Sequence, residues 1–326
     1  MNNDMIKEFH LFAGIGGGIY GGTLLGHICC GGVEIDTNCQ KVLKQRQADG
    51  WMDTFPIYGD LTNLSGEPFK GTFDVLCGGF PCQAFSHAAH GKNISEKNLW
   101  SEMYRFVEES DAPIVFGENV TLKAVSKAKK DLEQIGYKVE LCRLSCSDLG
   151  ADHRRNRFWI LAVKDKDVFQ KLVNGIPNLP KLNGDCWTHA PYDLPHSNSR
   201  VQLKAIGNAQ CPLVAATAFR ILVNRHINHN FSNTIVDQSE IDAVFEKKTT
   251  WIQSQFGTDF GLLHTPTTMA NYSAPSMMKH QGCRNFKTVF GRPTPDNAEW
   301  LMAFPPGASS IEPMPFDNFE HWLGSK

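Results

Sequence analysis

The chain lacks a run of about 18 consecutive apolar residues, the length that a bilayer-crossing helix needs, so no membrane span is expected. Its opening stretch, MNNDMIKEFHLF, lacks the basic region and long apolar core of a secretory signal. No two of its 10 cysteines form a Cys-x-x-Cys pair, so a zinc ribbon is not indicated and no metal is expected. The cysteines are scattered, and Cys29, Cys30, Cys77 and Cys142 fall inside strand-like runs, which reads as reduced thiols in a cytoplasmic protein rather than as a disulfide framework. A strong charge of one sign is also missing. The net charge of −2 gives no overall attraction to nucleic acid, so any such footprint must be local. No internal repeat is present.

What is there is an ordinary globular composition, 41% apolar and 20% charged, over 326 residues, enough for one large domain and a smaller one. Short β-rich runs alternate with helical stretches as far as about Val163. Phe9 to Phe12, His27 to Ile35, Thr54 to Tyr58, Phe73 to Cys77 and Ala112 to Phe116 read as strands, with Gly78-Gly79 breaking the fourth. Tyr137 to Cys142 and Arg157 to Val163 look like a closing pair. Such alternation predicts an α/β fold with a doubly wound, mostly parallel sheet, which binds ligands at the carboxyl ends of its strands. Residues 175 to 200, rich in Pro, Asn and Asp, read as a linker or irregular loop, and Pro212 to Val223 as a helix. Beyond Asn224 periodicity fades, which suggests a division into 1–223 and a smaller, irregular region 224–326. Within the latter, residues 260 to 295 hold Lys279, Arg284, Lys287 and Arg292 and no Asp or Glu. That stretch is either a nucleic-acid surface or a solvated loop, and composition does not choose.

Phe12-Ala13-Gly14-Ile15-Gly16-Gly17-Gly18 follows a strand and precedes a helix, where glycines let the backbone approach a ligand and free N–H groups are available. Glu34 ends the second strand, where an acid holds ribose hydroxyls, and Asp60 ends the third, placed for an adenine amino group. The alternative for either acid is a helix cap or a surface charge, and for Asp60 the two readings are even. A nucleotide-like cofactor follows, but an NAD enzyme and a methyltransferase look alike at this point. Cys82, in CGGFPCQAFSH, lies in the loop past the fourth strand, where function is commoner than packing, although a free thiol also packs as a small hydrophobe.

Taken in order, FAGIGG, GGFPCQ, Glu118-Asn119-Val120 and His153-Arg154-Arg155-Asn156-Arg157 resemble the DNA cytosine-5 methyltransferase family. Gly207-Asn208-Ala209-Gln210-Cys211-Pro212 resembles that family's GNxxxP block, which closes over the cofactor. The resemblance implies a Rossmann-like methyltransferase fold, S-adenosylmethionine as cofactor and double-stranded DNA as partner, acted on by a monomer. Phe12, Ala13, Gly14, Gly16, Gly17, Glu34, Ile35, Asp60, Leu61 and Asn208 would hold the cofactor. Cytosine is not nucleophilic at carbon 5 until a nucleophile adds at carbon 6, which makes Cys82 the implied nucleophile. Glu118 would serve N3, Arg157 would stabilise O2, and Arg155 would brace the site. Gln83 and Ser86 would lie on a loop that closes over DNA.

Two departures stand out. His153 occupies a position where the family usually has Gln. Asn297 to Pro306 resembles the family's RExxRLxxFP block, yet it follows GNAQCP instead of preceding it. The simplest account moves GNAQCP and its helix forward onto the catalytic sheet. DNA recognition would then fall to 224–296, with Lys279, Arg284, Lys287 and Arg292 facing phosphates and groove edges. Trp300, Leu301, Met302 and Phe304 are expected to be buried.

Overall fold

The computed structural model describes residues 5–81, 99–191, 199–228, 234–267 and 274–324. Seven strands, β1 (Lys7–Leu11), β2 (Ile28–Val33), β3 (Ile57–Tyr58), β4 (Val75–Gly79), β5 (Ile114–Asn119), β6 (Lys138–Leu144) and β7 (Arg157–Val163), form one sheet. Their order is β3-β2-β1-β4-β5-β7-β6. β1 to β5 run parallel, whereas β7 is antiparallel to both of its neighbours, β5 and β6. The expected α/β sheet is present.

β4 departs from its predicted span. Gly78 and Gly79 do not break the strand: they pair with Gly117 and Glu118 of β5. A ladder needs only backbone groups, so glycine joins it, and the missing side chain at Gly78 leaves room for the Met103 sulfur, which would lie 3.1 Å from an added Cβ.

Side chains alternate across the sheet, so each strand feeds two apolar layers. Phe9, Leu11 and Leu76 face one layer, filled by α3 (Trp100–Ser110) and α4 (Leu122–Gln134). The other layer receives α1 (Gly17–Leu24), α2 (Thr37–Ala48), α5 (Lys166–Gly175) and α7 (Pro212–Asn228), and its core extends to Trp322. The GNAQCP block runs from the end of α6 (Ser199–Asn208) through the turn to Pro212, the first residue of α7. The stretch Arg200–Asn228 is long and apolar enough to cross a bilayer by composition, but 83% of its apolar window is buried inside the protein, as befits a core helix.

The segment predicted as a linker is packed instead, where it is described. β8 (Leu182–Asn183) pairs with β9 (Phe245–Glu246), and Trp187 is buried with its Nε1 donating to the carbonyls of Trp300 and Leu301 at 3.0 and 3.2 Å. Polar composition hid this because the segment is anchored by a few large side chains only. The remaining helices are α8 (Gln238–Val244), α9 (Trp251–Phe256), α10 (Gln281–Phe290), α11 (Pro295–Leu301) and α12 (Phe316–Gly324).

Trp300, Leu301, Met302 and Phe304 are buried, as expected. They close over the α1–α2 face, where Phe304 meets Tyr20 edge-on at 5.8 Å. The fully buried Arg46 donates to Gly307 O at 2.8 Å and stacks over Trp51, whose Nε1 reaches Pro315 O at 3.2 Å. Burying an aromatic side chain of this kind contributes about 1.5–3 kcal/mol.

Candidate active site

The strands β1, β2, β4 and β5 end on an open cleft. After β1 the chain turns sharply through Phe12, Gly14 and Gly16, with φ of 55°, 56° and 90°. Phe12, Ala13, Gly14 and Gly17 line the cleft. Gly16 lies behind the turn, where an added Cβ would meet Met52 Cε at 2.4 Å. It shapes the turn and caps α1 rather than facing a ligand.

Glu34, at the end of β2, knits the two nearest loops together. Its Oε2 accepts from Gly14 N at 2.6 Å and its Oε1 from Asp36 N at 2.7 Å. Burial raises its carboxyl above the usual carboxylate range, against the pull of those backbone bonds. Each oxygen keeps a second lone pair, and the residue lines the cleft with the exposed Ile35. Asp60 and Leu61 line it as well. Asp60 is also a cap, accepting from Thr62 N at 2.9 Å. Asn208 lines the far wall beside Lys204.

The antiparallel strand completes the site. Because β7 runs backwards, its first residue, Arg157, reaches the edge where β5 ends at Glu118 and Asn119. Arg157 Nε stands 2.8 Å from Glu118 Oε1, off the axis of an aligned hydrogen bond, so the contact is chiefly one of charge. Both residues line the cleft. Asn119 Nδ2 donates to Phe80 O at 2.8 Å, fixing the backbone just before Pro81, which also lines the cleft. Cys82, Gln83 and Ser86 lie outside the described residues.

Arg155 is not in the cleft. It is buried, with φ of 43°, and donates to Gly207 O at 3.0 Å, Ala209 O at 2.5 Å and Pro266 O at 3.2 Å. It therefore ties the GNAQCP turn to the 265–266 segment. Burial, together with neighbouring Arg157, pulls its guanidinium down to about 10. His153 is fully buried, and among the described residues neither ring nitrogen has a hydrogen-bond partner.

Lys279, Arg284, Lys287 and Arg292 are exposed and lie outside the cleft lining. Arg284 is already engaged, donating to Met278 O and Lys279 O at 3.0 and 2.8 Å. Sequence reasoning missed His10, Lys204 and Gln210, which all line the cleft. His10 sits in the apolar run FHLF, which gave no sign of a polar site; Nε2 reaches Glu8 Oε2 at 2.8 Å, while His27 Nδ1 reaches Glu8 Oε1 at 2.6 Å. The ligating atoms of Glu8, His10 and Cys77 lie within 4.8 Å of one another, but the two imidazoles already occupy both oxygens of Glu8.

The family model for C-5 cytosine-specific DNA methylases matches residues 6–282. The chain belongs to that family. Among curated relatives, type II methyltransferase M.CviJI of Paramecium bursaria Chlorella virus IL3A is 31% identical over 165 residues, covering 48% of this chain and 43% of that protein. Type II methyltransferase M.MspI of Moraxella sp is 29% identical over 177 residues, covering 50% and 40%. The chain thus spans less than half the length of these type II methyltransferases. A solved structure, a DNMT2 mutant of Spodoptera frugiperda, aligns over 98% of this chain and 95% of its own at 16% identity, with a TM-score of 0.49.

Proposed function

We propose that this protein methylates carbon 5 of cytosine in double-stranded DNA, using S-adenosylmethionine and a transient bond from Cys82. The observation that carries the reading is the Glu118–Arg157 pair at the edge of a cleft floored by a glycine turn and rimmed by Glu34 and Asp60. The donor set suits the cofactor. Gly14 leaves open space on its side-chain face, Glu34 keeps lone pairs for ribose hydroxyls, and Asp60 stands ready for an adenine amino group on a cleft wall that also holds Ile35 and Leu61. When bound, S-adenosylmethionine supplies the methyl group.

The protein's own residues do the rest. The Cys82 thiolate adds to carbon 6 of a cytosine that has left the stack. Charge then grows on N3 and O2. Glu118, which takes up a solvent proton as the base enters, shares it with N3 and recovers it when the ring double bond reforms, while Arg157 faces O2. After methylation a base takes the carbon-5 proton, the ring double bond reforms and Cys82 leaves. Residues 224–296 are the proposed recognition region, with the exposed Lys279, Lys287 and Arg292 offering cations to phosphates.

The direct test is expression in a host lacking cytosine methylation, followed by bisulfite sequencing of its DNA and tRNA. Methylation of one DNA sequence context supports the reading. Methylation confined to tRNA, or none in either, overturns it.

A further inference from the structure

Gln210 lies in the turn between α6 and α7 and lines the cleft. Two glycines make room for its carboxamide. A Cβ on Gly18 would lie 2.6 Å from Gln210 Oε1 and 3.2 Å from His10 Nδ1. A Cβ on Gly79 would lie 3.0 Å from Gln210 Nε2 and 2.9 Å from Glu118 Oε2. The amide thus spans from β1 to β5 across the ends of the strands, its oxygen on the His10 side and its nitrogen on the Glu118 side. That orientation sets an N–H donor beside a carboxylate, as charge favours.

The His10 end is firmly held. His10 and His27 clasp the buried Glu8 from two sides. Burial works to raise the Glu8 carboxyl, but the charge of His27 and the hydrogen bonds from both imidazoles outweigh it and hold it at about 2. Glu8 is therefore an anion, His10 Nε2 donates to it, and the other ring nitrogen, Nδ1, shares the space above Gly18 with the Gln210 oxygen.

We propose that Gln210 is a positioning residue for Glu118, its amide nitrogen taking Oε2 while Arg157 takes Oε1, so that the carboxyl plane is fixed toward the target base. Contacts of this kind are often loose before substrate binds and tighten around it. The inference rests on Glu118 acting on the cytosine ring, as proposed above.

The test is the single-turnover rate of methyl transfer from preformed complexes of protein, DNA and S-adenosylmethionine. Gln210→Met should lower it about 10-fold, the worth of one hydrogen bond to a charged group, with little change in DNA affinity. Gln210→Glu, which sets a second carboxylate beside Glu118, should lower it about 100-fold. In a Glu118→Gln background Gln210→Met should cost nothing further, because the carboxylate it positions is gone. Melting temperatures check folding, and if Gln210→Met melts early, Gln210→Asn carries the same comparison. An active wild type with an equally fast Gln210→Met, or losses that add fully in the double variant, overturns this inference alone. A wild type that transfers no methyl group overturns the underlying reading and this inference with it.

Discussion

Arg157 Nε and Glu118 Oε1 stand 2.8 Å apart because one strand of the sheet runs against the others. The register that pairs Glu118 with Trp159 leaves Arg157 just beyond the end of β5, so cation and carboxylate come from strands of opposite direction. Both side chains are largely buried, which strengthens their mutual field and their effect on a ring placed against them.

Glu118→Gln should lower methyl transfer by about 10²-fold or more, as loss of a positioned acid does. Arg157→Ala should lower it by about 10²–10³-fold, because a preorganised cation at developing charge is lost. Single-turnover assays check both. Unaltered transfer in either variant removes that residue from the chemistry.

Glu34→Ala should weaken S-adenosylhomocysteine binding measured by calorimetry. It removes ribose contacts worth about 1.5–3 kcal/mol each and frees the Gly14 and Asp36 amides that shape the cleft. Equal affinity in wild type and variant would move the ribose contact elsewhere.

His153 makes stability depend on pH. Burial first, and then Arg155 and Arg157, lower its imidazole from the usual 6.5 to about 3. Between those values the unfolded chain binds a proton that the folded protein does not, so stability falls as pH drops below 6.5 and levels off near 3. Glu8, held at about 2, also loses stability in acid, and Glu299, raised to about 7, acts in the opposite sense, but both are common to wild type and variant. His153→Gln should therefore show a shallower fall in melting temperature from pH 7 to pH 4. Parallel curves for the two proteins contradict this.

Much of this was legible in the sequence because short apolar runs bounded by glycine or by an acid mark where strands end, and ligands gather at those ends. Phe12 to Gly17, Glu34 and Asp60 follow from that logic, whereas Glu118 comes from the family resemblance. Local signals could not show that the backbone of Gly78 and Gly79 stays in the ladder, since pairing needs no side chain. Nor could they show Arg46 meeting Gly307, or Trp187 meeting Trp300, which are contacts between segments far apart in the chain. The Glu8–His10–His27 cluster was hidden for the same reason: each residue sits in an apolar strand or turn, and only the register of β1 and β2 brings them together.

The central claim is a covalent bond between Cys82 and carbon 6 of the target cytosine. It is tested most directly by incubating the protein and S-adenosylmethionine with DNA carrying 5-fluorocytosine, then running the mixture on a denaturing gel. Fluorine cannot leave as a proton does, so the wild type should accumulate a protein–DNA adduct that survives denaturation, and Cys82→Ala should form none while binding S-adenosylhomocysteine normally. An adduct that persists in Cys82→Ala, or an active wild type that forms no adduct, would contradict the account.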